Sequence, residues 1–129
     1  MSTTNSQPAK QILAIDDEKD ILDVIRLALE GEGLVVHTTT SAKDGLAYFE
    51  KNWRDIGLVL LDYVMPELTG DVVLEHMQRC DPHVRVLLLT ACDDQVAKQM
   101  FAKGLRGYMQ KPFYLDDLIQ RVREELESQ

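Results

Sequence analysis

The chain has 129 residues, of which 45% are hydrophobic and 28% charged, and a formal net charge of −8. That length fits one domain with a real core, and the negative charge opposes nonspecific attraction to nucleic acid or to an anionic membrane. No apolar run is long enough to span a bilayer, and Cys80 and Cys92 have neither the spacing nor the histidine company of a zinc site, so the expected setting is reducing and cytoplasmic.

Residues 1–9, mostly Ser, Thr, Asn and Gln, read as a disordered leader, and residues 10–129 as the single domain. Gln11 to Ile15 forms a short apolar strand that runs into Asp16, Asp17 and Glu18. Ile21, Ile25, Ala28 and Leu29 then fall at helical spacing, and Gly31 and Gly33 stop that helix. Leu34 to His37 is a second strand, followed by Thr38, Thr39 and Thr40. Ser41 with Asp44 three residues on resembles a capping box, and Ala42, Gly45, Leu46 and Phe49 line one face of its helix. Ile56 to Leu61 is an uninterrupted apolar run, the pattern of a strand buried on both faces, and it ends in Asp62. Pro66 and Gly70 break the backbone beyond it, and a helix carrying Val73 and Met77 follows.

Val84 to Leu89 makes a fourth strand that ends in Thr90. Val96, Ala97, Met100 and Phe101 are expected to face inward from a fourth helix, which Gly104 ends. Arg106 to Met109 is a short fifth strand, leading to Gln110, Lys111, Pro112 and Phe113. Leu115, Leu118, Ile119, Val122 and Leu126 give the last helix its apolar stripe. Five strands alternating with five helices predict an α/β fold. Its parallel sheet is doubly wound, covered by helices on both faces and joined by right-handed crossovers.

In such a sheet all strand ends share one edge. Strand one brings Asp16 and Asp17 there, strand three Asp62, strand four Thr90 and strand five Lys111. In the order 2-1-3-4-5 these strands are neighbours, and a crevice opens between strands one and three. Three crowded carboxylates repel one another unless a cation joins them, and hard oxygen donors suit Mg²⁺ or Mn²⁺. With Lys111 and the Thr90 hydroxyl available for phosphate oxygens, this is equipment for phosphoryl transfer. No nucleotide-binding loop is present, so the nucleophile is expected to be Asp62, forming an acyl phosphate. Plainer roles stay open at this stage: Asp16 and Asp17 as helix caps, Thr90 as a turn residue, Tyr108 as a packing aromatic.

The motifs resemble the response-regulator receiver domains of two-component signalling over about Lys10 to Glu127. Asp16-Asp17 resembles that family's acidic pair, Asp62 its phosphorylated aspartate, and Met65-Pro66 with Gly70 the loop beyond it. Thr90-Ala91 resembles the switch hydroxyl and its small neighbour, Tyr108 the switch aromatic, and Lys111-Pro112-Phe113 the lysine-proline pair. The resemblance implies a flavodoxin-like (βα)5 fold. It implies a phosphorylation-controlled switch, no enzyme beyond its own phosphorylation and dephosphorylation. The phosphoryl group would come from a histidine kinase or histidine phosphotransfer protein. Mg²⁺ would be held by Asp17, Asp62 and the main-chain carbonyl of Val64, with Asp16 acting through water. A cis peptide is implied between Lys111 and Pro112, and Thr90 with Tyr108 would alter the surface of helix four, strand five and helix five.

The family's two positions that tune phosphoryl loss hold Val64 and Cys92, neither able to orient water, so slow to moderate self-dephosphorylation is expected. The output partner, or a further C-terminal output domain, is not specified by the chain. A Mg²⁺-dependent phosphatase with an aspartyl nucleophile would place an acid at Val64, and a flavodoxin-like electron carrier would need a Ser, Thr and Gly loop where Asp16-Asp17-Glu18 stand.

Overall fold

The structure is a computed structural model and describes residues 10–91 and 94–127. The expected leader and Cys92 lie outside the described residues. Five strands, β1 (Gln11–Ile15), β2 (Val35–Thr39), β3 (Ile56–Leu61), β4 (Val86–Thr90) and β5 (Gly107–Gln110), alternate with five helices. These are α1 (Lys19–Glu30), α2 (Ala42–Asn52), α3 (Gly70–Cys80), α4 (Asp94–Phe101) and α5 (Leu115–Glu127). All strand pairs are parallel, in the order β2-β1-β3-β4-β5. The strand order and the doubly wound α/β class agree with the sequence. A short 3₁₀ turn at Trp53–Asp55, which no sequence pattern announced, leads into β3.

The alternation of side chains along a strand splits the core in two. On one face Leu13, Ile15, Val59, Leu61, Val86 and Leu88 pack against α2, α3 and α4 through Leu46, Phe49, Leu74, Met77 and Met100. On the other, Ile12, Ala14, Leu58, Leu60, Leu87 and Leu89 pack against α1 and α5 through Leu22, Ile25, Leu29, Leu118 and Val122. Every residue of β3 is buried, as its unbroken apolar run requires. Each such leucine contributes roughly 1.5–3 kcal/mol of burial, so β3 and its neighbours form a rigid base for the edge above them.

The ends of three helices depart from the expected apolar faces. Leu22, not Ile21, is the buried residue in the first turn of α1, and Ile21 only packs on the rim. Phe101 was expected in the core, yet it is 43% exposed; α4 ends there, so its last side chain projects past the sheet. Leu115 opens α5 and is 37% exposed for the same reason.

Candidate functional site

Three main-chain bonds carry the sheet pattern one step past the strands and fix the polar residues in register. Asp16 N donates to Thr39 O at 3.3 Å, Asp62 N to Ile15 O at 3.0 Å, and Lys111 N to Thr90 O at 2.9 Å. The consequence is that Asp16, Asp62, Thr90 and Lys111 leave adjacent strands side by side at the carboxyl edge. Asp16, Asp62 and Thr90 are buried, whereas Asp17 is exposed at the mouth.

The loop after Asp62 is held in two ways. Gly70 N donates to Tyr63 O at 2.8 Å, folding the loop back on itself. A Cβ at Gly70 would stand 3.0 Å from Tyr63 Cα and 3.2 Å from Asp62 O, so any side chain there would push the returning backbone apart by a few tenths of an ångström. Farther along, Glu67 accepts from Ser41 Oγ at 2.7 Å and from Lys43 N at 3.3 Å, and these bonds hold its carboxyl below the usual range. Ser41 also accepts from Asp44 N at 3.1 Å, which realises the expected cap of α2. The loop bearing Val64 is thereby pinned to the start of α2.

Asp16, Asp17 and Asp62 each place an oxygen within 4.8 Å of the others. Asp17 and Asp62 border a pocket of about 360 Å³ lined also by Glu18, Val64, Thr90, Ala91 and Lys111. Lys111 Nζ lies 2.6 Å from Asp16 Oδ2, 3.4 Å from Glu18 Oε1 and 3.8 Å from Asp62 Oδ2. Asp16 is saturated further by Glu18 N, which donates to its Oδ1 at 2.9 Å. The cap role left open for Asp16 and Asp17 is not what the geometry shows: Glu18 is the N-cap of α1 and makes no side-chain cap bond. The Lys111–Pro112 peptide is cis.

Burial, then the neighbouring Asp16 charge, pushes the Asp62 carboxyl up to about 6, and Lys111 offsets this only in part. Burial likewise raises Asp16 against the pull of its bonds from Lys111 and Glu18 N. For Lys111 burial acts downward, but the hydrogen bond and charge of Asp16, then the charge of Asp62, outweigh it and hold the ammonium above its usual range. One lysine therefore does not neutralise the pocket. Hard oxygens grouped around an open, partly solvated pocket fit a small divalent cation such as Mg²⁺.

A profile of the response regulator receiver domain matches residues 12–123. The chain belongs to that family. The receiver is 32% identical over 112 residues to the response regulator SaeR of Staphylococcus aureus, which covers 86% of this chain and 48% of SaeR. It is 30% identical over 114 residues to the transcriptional regulatory protein TrcR of Mycobacterium tuberculosis, covering 88% of this chain and 44% of TrcR. The chain thus spans about half the length of these curated relatives. Among solved structures, a receiver domain protein from Clostridium thermocellum superposes with a TM-score of 0.87 at 33% identity, over 92% of this chain and 95% of that one. A CheY-like receiver domain protein from Methanospirillum hungatei gives 0.88 at 29% identity, over 94% and 96%. Among the described residues of this receiver no helix is long and apolar enough to cross a membrane.

The structure brings together every site residue the sequence singled out except Tyr108, which stands on β5 with its ring against Phe101. The two centroids are 6.2 Å apart and the planes are inclined at 71°. Two contributors escaped the sequence reading, Glu18 on Lys111 and Glu67 under the loop. Both are exposed acids, Glu18 at the N-cap of α1 and Glu67 in the loop before α3, and the only signal in the sequence was the carboxylate directly after the acidic pair.

Proposed function

We propose that this receiver is a switch driven by phosphorylation of Asp62, with the phosphoryl group supplied by a phosphohistidine on a histidine kinase or phosphotransfer protein. The observation that carries the proposal is the meeting of Asp16, Asp17 and Asp62 within 4.8 Å beside Lys111. An Asp62 carboxylate oxygen attacks phosphorus, an O–P bond forms, and the P–N bond breaks with its electron pair leaving on the imidazole. Lys111 donates N–H to the phosphoryl oxygens, and the Thr90 hydroxyl donates to another, so charge that develops in transfer meets fixed donors. Asp17, Asp62 and the Val64 carbonyl would hold Mg²⁺, with Asp16 acting through water, and the ion would supply the remaining charge neutralisation.

Thr90 moving toward the phosphoryl group leaves room for the Tyr108 ring, and the face of α4, β5 and α5 changes with it. The alternative of an aspartyl phosphatase gains nothing from the geometry, since Val64 is 60% exposed at the position where that chemistry places an acid. Acetyl phosphate with Mg²⁺ is expected to add one phosphoryl group, seen by intact mass, that hydroxylamine removes as it does acyl phosphates. No uptake, or a product stable to hydroxylamine, contradicts the proposal.

A further inference from the structure

Lys111 carries three N–H donors, and three carboxylates already stand around it. Nζ donates to Asp16 at 2.6 Å and to Glu18 at 3.4 Å but stands 3.8 Å from Asp62, beyond hydrogen-bond reach. Drawing it onto a phosphoryl oxygen at Asp62 therefore pulls it away from one of the two carboxylates it now serves. Asp16 is a poor candidate: its side chain is 4% exposed, and releasing it would leave a buried, unpaired charge. Asp62 is itself the group to be modified. Glu18 differs from both, because its side chain is 59% exposed, its oxygen is 3.4 Å from Nζ, and water solvates it on release. On its far side lies a mostly apolar cleft of about 590 Å³, lined by Ile21, Val24, Phe113 and Leu115, into which the side chain has room to swing.

We propose that Glu18 is a positioning residue that competes with the phosphoryl group for Lys111, so that its departure sets how readily Asp62 is modified. This rests on Asp62 being the phosphoacceptor. In the reaction with acetyl phosphate an Asp62 oxygen bonds to phosphorus and the P–O bond to acetate breaks, with the electron pair leaving on acetate. No proton moves; one Lys111 N–H exchanges its carboxylate acceptor on Glu18 for a phosphoryl oxygen. Glu18 makes no cap bond to α1, so its side chain is removable without unmaking the helix start.

The test is beryllofluoride affinity of the whole chain at saturating Mg²⁺, by calorimetry, in wild type, Glu18→Ala and Asp20→Asn. Asp20 lines the same cleft and removes the same charge, but among the described residues it makes no hydrogen bond or ion pair to Lys111, so it measures the through-space part. Glu18→Ala is expected to bind beryllofluoride roughly two- to fivefold more tightly than Asp20→Asn, the scale of a half-exposed ion pair. The half-saturating acetyl phosphate concentration should fall in parallel. Equal affinity in the two variants, or weaker binding by Glu18→Ala, overturns the role of Glu18 while leaving Asp62 in place. A wild type that binds no beryllofluoride with Mg²⁺ overturns the phosphoacceptor reading and this inference with it.

Discussion

At the scale of single residues, the buried charge at Asp62 makes stability depend on pH. Its carboxyl titrates at about 6 in the fold against 3.8 ordinarily, so the folded protein binds this proton more readily than the unfolded chain. The favourable contribution is complete below the unfolded value and is lost as pH rises through about 6. At neutral pH the ionised group then costs on the order of 3 kcal/mol. Asp62→Asn should therefore stabilise the metal-free protein by roughly 1–3 kcal/mol at pH 7, and the gap between variant and wild type should shrink by pH 5. Urea melts of both in chelator measure it; a gap independent of pH contradicts the buried charge. Asp62, Lys111 and the acidic pair were legible in the sequence because each directly follows an apolar strand, and parallel strands gather their ends. Glu18 and Glu67 were not, because an exposed acid near a helix start looks the same whether it is solvated or bonded to a distant loop.

At the scale of elements, the sequence conveyed faces better than ends. The β3 run could only be a central strand, and Ser41 announced the start of α2 through its own hydroxyl. Phe101 misled because helical spacing says which side of a helix a residue is on and not how far the sheet beneath it extends. Its exposed ring instead packs edge-on against Tyr108, which joins α4 to β5 across the surface that the proposed switch would alter. Turning Tyr108 inward would break that contact, worth about 0.5–1.5 kcal/mol. Structures with and without beryllofluoride and Mg²⁺ are expected to show the Thr90 hydroxyl drawn toward Asp62 and the Tyr108 ring withdrawn from Phe101. Identical rotamers in both would contradict the switch.

Across the whole molecule, two apolar layers hold one sheet rigidly while its carboxyl edge concentrates like charge. At about 5 Å and an effective dielectric near 20, one carboxylate pair costs roughly 3 kcal/mol before salt and water reduce it. A typical domain has only about 5–15 kcal/mol of stability, so the site is a material cost to the apo fold. Mg²⁺ held at the proposed site would bind the folded protein and not the unfolded chain, and at one hundred times its dissociation constant it should add about 2.7 kcal/mol. The melting temperature of wild type should rise on adding millimolar Mg²⁺ to chelated protein, and that of Asp17→Ala much less. Equal shifts in the two would mean that Asp17 does not hold the ion.

The proposed switch depends on which residue is the nucleophile, and peptide mapping after acetyl phosphate treatment reads it directly. With Mg²⁺ the phosphoryl group is predicted on the peptide containing Asp62, with none in chelator and none on Asp62→Asn. Undiminished labelling of Asp62→Asn, or a phosphoryl group mapped to another residue of the wild type, would contradict it.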